Sequence, residues 1–195
     1  MGRSRPILLV MALGLALAAS SCGKDYYEGV VRKRIQQLGA KEEDERVHAA
    51  WSLGQIGPKA KAAVPALAKA LSDPSREVRV AAGEALAQLE DEAAPAVPAL
   101  LAALRDEDGE VRAKAAAALG VVGPPAASEA IPMLIGGLRD QDSGVRLYSA
   151  WALGEFGPEA KAAEEALAQA MEDENADVRT WSAEALLKVR GVEMK

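Results

Sequence analysis

One ten-residue phrase, seen at Val145-Arg-Leu-Tyr-Ser-Ala-Trp-Ala-Leu-Gly154, occurs five times along the chain in varied form. Its copies begin at Glu45-Arg46, Val78-Arg79, Val111-Arg112, Val145-Arg146 and Val178-Arg179. Each carries a leucine eight positions after its first residue, at Leu53, Leu86, Leu119, Leu153 and Leu186. The spacings are 33, 33, 34 and 33 residues. A fixed period of that size specifies a stack of small units, each burying one face against its neighbours, rather than one closed core. Within a copy the first, fifth and ninth positions are apolar or small (Val111, Ala115, Leu119), which is a one-faced helical stripe. Half of the residues are hydrophobic and only 4% aromatic. Alanine supplies much of the apolar share, which suits closely packed helices.

Each unit reads as two helices. The first runs from about the arginine to the Leu-Gly pair. Gly57-Pro58, Gly123-Pro124 and Gly157-Pro158 then end it and restart the chain, since glycine suits a C-terminal cap and proline cannot continue a helix. The second helix carries Val64-Pro65-Ala66-Leu67, Val97-Pro98-Ala99-Leu100 and Ile131-Pro132-Met133-Leu134. These prolines belong in or near its first turn, because an interior proline costs about 3 kcal/mol. Leu71, Leu104, Leu138 and Met171 are expected to close that helix on the buried side. Counting back one period from Val64 and Leu71 gives Val31 and Leu38, so Lys24 to Gly39 reads as the second helix of an incomplete, more charged first unit. Val178 to Val189 is a first helix without a partner. The two half-units read as caps. The second copy departs from the others, with Ala87 for glycine and Glu90-Asp91 for Gly-Pro, and its corner is expected to differ locally.

The repeats resemble the short bacterial HEAT repeats of the phycobilisome-lyase HEAT-like type. The pattern that carries the resemblance is Asp-x-x-x-x-Val-Arg-x-x-Ala-Ala-x-Ala-Leu-Gly followed by Ala-Val-Pro-Ala-Leu, over about residues 41–190. Ankyrin units would carry Thr-Pro-Leu-His, and tetratricopeptide units Trp-x-x-Leu-Gly. This chain has Trp51-Ser-Leu-Gly, one residue short. The resemblance implies an all-α, right-handed α-solenoid of HEAT-like helical hairpins: four full repeats with a half-repeat at each end, and second helices on the concave face. In such repeats Asp73, Asp106, Asp140 and Asp173, each six residues before an arginine, form a ladder with the arginines of neighbouring units. Its recurrence in every unit marks it as scaffold.

The start of the chain reads differently. Arg3 and Arg5 precede an uncharged apolar run, Ile7 to Ala19, followed by small residues, which is the layout of an export signal. The run is short for a membrane span, which needs about 20 apolar residues. Ala19-Ser20-Ser21-Cys22 resembles a bacterial lipoprotein signal, with alanine at the first position where that family usually has leucine. The resemblance implies acylation of Cys22 as the mature N-terminus and a tether to the extracytoplasmic face of a membrane. The expected organisation is a signal peptide over 1–21, an anchor and capping helix over 22–40, and a repeat domain over 41–195.

Composition narrows the chemistry. The formal charge is −6, from 23 basic and 29 acidic residues, and removal of Arg3 and Arg5 makes it more negative. That balance opposes a nucleic-acid partner. A single cysteine and a single histidine exclude an internal disulfide and any Cys/His metal site. Asp106-Glu-Asp-Gly-Glu110 and Asp140-Gln-Asp-Ser-Gly144 lack the glutamate that a calcium loop needs at its twelfth position, and read as turn and capping residues. His48 has no triad partner, and its repeat equivalents are Ala81, Lys114, Tyr148 and Trp181. No catalytic, cofactor-binding or metal residue is expected, and no cofactor or small-molecule substrate.

What remains is a non-enzymatic scaffold, lipid-anchored in the cell envelope and mediating protein–protein interaction. Tyr148 and Trp151, three apart on one helix, with Trp181 at the equivalent of Tyr148 one unit on, are the expected partner-binding residues. The alternative that the resemblance carries is chromophore attachment or removal, as in lyase-like members, which the export signal disfavours.

Overall fold

A computed structural model describes residues 21–192, with side chains from residue 26 onward. The expected signal segment lies outside the described residues, apart from Ser21. The backbone of Cys22 opens α1 (Ser21–Gln37), and its side chain is not described. Four hairpins follow: α2 (Glu43–Ile56) with α3 (Val64–Ala70), α4 (Arg76–Gln88) with α5 (Val97–Ala103), α6 (Gly109–Val122) with α7 (Pro124–Gly137), and α8 (Ser143–Phe156) with α9 (Glu164–Ala170). A single helix, α10 (Ala176–Val189), closes the stack. This is the expected α-solenoid, with a lone second-type helix at one end and a lone first-type helix at the other. Among the described residues no helix is long and apolar enough to cross a membrane.

The repeated positions are the core. Leu53, Leu86, Leu119 and Leu153 of the first helices, and Leu67, Leu100, Leu134 and Leu167 of the second, are fully buried in one continuous cluster. Val31 in α1 and Leu38 just after it extend that cluster, as the one-period back-count predicts. First helices of successive units approach closely, with glycine at three of the four seams and Ala87 at the other. A Cβ at Gly120 would stand 2.9 Å from the Cα of Ala152, and one at Gly154 would stand 3.0 Å from the Cα of Ala185. At the end of this column stands Leu187, exposed on α10.

Four details differ from the sequence expectation. First, the second helix of three units opens with a 3₁₀ segment (Gly57–Ala63, Glu90–Ala96 and Gly157–Ala163) before the α-helix begins. Second, the third unit has one residue more between its corner and its second-helix motif, and it runs as a continuous α-helix from Pro124. Pro132 therefore lies inside that helix rather than in its first turn. It leaves the carbonyl of Ser128 without an intrahelical donor, on an exposed residue where water can reach.

Third, the second corner follows the same path as the others although it lacks glycine. Gly57, Gly123 and Gly157 have φ of 66°, 71° and 56°, and Glu90 is held at 56° in their place. Units packed on both sides fix the corner, so the strain stays in the backbone of Glu90. Fourth, Met171 is 39% exposed, whereas its counterparts Leu71 and Leu138 are buried. No second helix stacks beyond α9 among the described residues, so nothing covers it.

Candidate functional site

The repeated charges are taken up by the scaffold. Each arginine reaches forward to the aspartate of the next unit: Arg46 to Asp73, Arg79 to Asp106, Arg112 to Asp140 and Arg146 to Asp173. Arg112 donates from Nε to Oδ2 at 2.8 Å and from Nη2 to Oδ1 at 2.7 Å. The same fork recurs for Arg46 and Arg146. Arg79 donates to Asp106 from Nη2 only; its Nε, 2.9 Å from Oδ2, makes no hydrogen bond. The third nitrogen of each fork donates backward to two carbonyls of its own turn, as Arg112 Nη1 does to Asp106 and Glu107. Each aspartate also accepts the backbone N–H two residues on, from Ser75, Asp108, Asp142 and Asn175.

Those four residues are the N-caps of the first helices, accepting from backbone N–H groups in the first turn. The acidic clusters at 106–110 and 140–144 are thus ladder rungs and caps. Burial raises the Asp140 carboxyl, but Arg112, the N–H of Asp142 and the charge of Arg146 outweigh it and hold the group below its ordinary range. The ladder starts with Ala40 in the aspartate position and ends at Arg179. That arginine keeps its two carbonyl bonds but meets no carboxylate among the described residues.

With the repeated polar groups so committed, distinctive chemistry is left to positions the repeat does not fix. Two such columns run along the exposed side of the first helices. One holds His48, Ala81, Lys114, Tyr148 and Trp181; the other holds Trp51, Glu84, Ala117, Trp151 and Glu184. Tyr148, Trp151 and Trp181 are half-buried and pack against the core cluster. The ring of Trp151 reaches back over α6, where a Cβ at Gly120 would come 2.6 Å from its Cζ3. No ring-to-ring contact joins the three; among the described residues such contacts pair Tyr26 with Tyr27 and His48 with Trp51.

Trp51 stands where Trp151 does, but only α1, a second-type helix, precedes α2 among the described residues. There is no earlier first helix for its ring to cover, and 53% of the residue is exposed. His48, also exposed, lies beside it with ring centres 5.9 Å apart. Together they wall a groove of about 450 Å³ between α2 and α4, floored by Val47, Val80, Ala81 and Ala85. Its mouth carries Asp44, Glu77, Glu84 and Glu110, with Arg76 as the one cationic side chain. Arg76 is bound to Asp108 at 2.7 Å and to Glu110. Its ion pair and hydrogen bond, with the N–H groups of Val111 and Glu110, hold the Asp108 carboxyl below its ordinary range despite burial. Reading single residues misses this groove. The signal was the column alignment of Trp51 with Trp151 and of His48 with Tyr148, together with the missing neighbour at the first unit.

A stack of helical hairpins tied by an inter-unit ion-pair ladder, with variable residues displayed along its helices, defines an α-solenoid repeat protein. The chain belongs to the HEAT repeat family, whose model matches residues 31–97 and 97–187. A comparison with curated proteins finds no matching relative. Among solved structures, the chain is similar to the complex of CpcE and CpcF of phycocyanin lyase from Nostoc sp. PCC7120. The identity is 28% and the TM-score 0.72, covering 83% of this chain and 65% of that one. A designed armadillo repeat protein in complex with the peptide (KR)4 matches with a TM-score of 0.72 at 19% identity, over 95% of both chains. An engineered protein matches with a TM-score of 0.70 at 22% identity, covering 92% of this chain and 96% of its own. The last two likenesses are of fold alone.

Proposed function

We propose that this HEAT-repeat protein is a non-enzymatic scaffold, tethered by an acylated Cys22 to the extracytoplasmic face of a bacterial membrane, that presents its first-helix face to another protein. The carrying observation is the division of labour along the repeat. The recurring Asp and Arg side chains hold unit to unit, whereas His48, Trp51, Tyr148, Trp151 and Trp181 stand on one face at positions where other units have alanine, lysine or glutamate. Tryptophan and tyrosine are over-represented among interface anchors. A peptide held by a repeat scaffold of the same fold supports a protein partner. The tether rests on the Ala19-Ser20-Ser21-Cys22 segment alone.

A second reading, chromophore attachment or removal, is favoured by the likeness to the phycocyanin lyase complex. Crosslinking in intact cells, with the captured species identified by mass, separates the two. A protein joined to the first-helix face supports the scaffold. A bilin-dependent absorbance change on mixing the purified chain with bilin and apo-phycobiliprotein would support the lyase reading instead.

A further inference from the structure

We infer that the groove between α2 and α4 is the docking site for a basic segment of the partner, carrying one or two large apolar side chains among lysines or arginines. The inference rests on the scaffold reading and names the partner chemistry that the reading leaves open. Shape comes first. The groove's volume, about 450 Å³, lies within the range of sites that bury a ligand group, and its floor of valines and alanines offers no hydrogen bond. Trp51 forms one wall with more than half of its surface uncovered, although the matching Trp151 lies on its neighbour's backbone. An apolar side chain entering here would cover part of the exposed surface of Trp51.

Charge settles which apolar segment fits. Asp44 opens α2 within a run of four acids, Glu42 to Glu45, and Glu77 lies across from it on the first turn of α4. Neither has a short ion pair: the nearest cation to Glu77 is Arg76, at 3.8 Å. That guanidinium is bound to Asp108 and Glu110, and Glu84 is paired with Lys114 at 3.3 Å. The mouth therefore keeps a surplus of negative charge in the same groove as the apolar floor. It favours a cationic segment and repels an acidic one, including a propionate-bearing tetrapyrrole. The matching seam, between α8 and α10, is not such a site, because the ring of Trp151 is turned back over α6 and Gly144 stands where Asp44 does.

The test uses the full chain, immobilised through a C-terminal tag, and three labelled heptapeptides. They are Lys-Arg-Leu-Lys-Leu-Arg-Lys, its acidic counterpart Glu-Asp-Leu-Glu-Leu-Asp-Glu, and the basic peptide with serine for leucine. The first should bind saturably and the other two far more weakly. Trp51→Ala should weaken that binding by about tenfold or more, as for an interface anchor, and Trp51→Phe should restore most of it. Asp44→Asn with Glu77→Gln should weaken it by about three- to tenfold and flatten its salt dependence. Met171→Ala, at the exposed end of α9, should leave it unchanged. Equal binding of the acidic peptide, indifference to Trp51→Ala, or no saturable binding of the basic leucine peptide overturns the inference. If cellular crosslinks then form from Trp151 or Trp181 but not from Trp51, the scaffold stands without this groove. If no protein is captured from any first-helix position, the scaffold itself fails.

Discussion

Removing Arg112 should show how much the ladder contributes. Its guanidinium makes four hydrogen bonds, two forked onto Asp140 at 2.8 and 2.7 Å and two onto the carbonyls of Asp106 and Glu107. Breaking a fully buried ion pair from one side costs about 3–5 kcal/mol, because the remaining charge is left in a poor solvent. Here both side chains keep 17% of their surface, so water partly recovers the abandoned carboxylate. Arg112→Ala is therefore expected to cost about 2–3 kcal/mol, which is a shift of about 1 M in a urea midpoint for a chain of this size. Asp140→Ala should cost a similar amount, and the double variant clearly less than the sum, with a coupling of about 1–2 kcal/mol.

Arg179→Ala is the internal control. It breaks only two carbonyl bonds and no ion pair among the described residues, so its effect should be much smaller. The pH dependence has a definite sign. Asp140 titrates below its unfolded value of about 3.9, so its contribution is full above that pH and is lost as pH falls through the folded value. The cost of Arg112→Ala should shrink accordingly on acidification below pH about 4. Urea unfolding of the four variants at neutral and acid pH, followed by far-ultraviolet circular dichroism, measures all of this. Additive single costs, or an Arg179→Ala effect equal to that of Arg112→Ala, would refute the ladder as the inter-unit tie.

Three further outcomes follow from particular residues. Glu90→Gly should stabilise the protein by about 0.5–1 kcal/mol in thermal or urea unfolding, since relief of a positive φ exceeds the added freedom of the unfolded chain. Ser149→Ala should be neutral or stabilising in the same assay. The serine hydroxyl is fully buried without a partner, and Ala49, Ala82 and Ala115 fill the equivalent positions. Intact mass of the membrane fraction should show a chain starting at Cys22 with added acyl mass, and Cys22→Ser should release it; a mature form with a free thiol there would reject the tether.

Features shared by every unit were legible in the sequence. Val111, Ala115 and Leu119 recur at helical spacing, and Asp140 recurs six residues before Arg146, so stripe and ladder could both be read before any contact was seen. Less legible was whatever depends on a neighbour's presence or absence. Met171 and Leu187 look like core residues by type, yet each lies where no further helix among the described residues covers it. Trp51 and Trp151 share a repeat position, but among the described residues only Trp151 has an earlier first helix to lie on. Backbone detail was hidden for another reason. The single added residue before Ile131 converts a 3₁₀ opening into a continuous α-helix around Pro132, and packing from both sides forces Glu90 into a glycine's conformation.

The proposal that this chain holds a protein partner on its first-helix face at a membrane can be put to a single experiment: a photo-crosslinking amino acid at position 51 of the full chain in intact bacteria, with position 102 on α5 as the comparison. Position 51 should give one discrete protein adduct, recovered with the membrane fraction and mapped to a basic, leucine- or aromatic-containing segment, and position 102 none. Capture from position 102 alone, or an adduct mapped to an acidic segment and recovered in the soluble fraction, would contradict it.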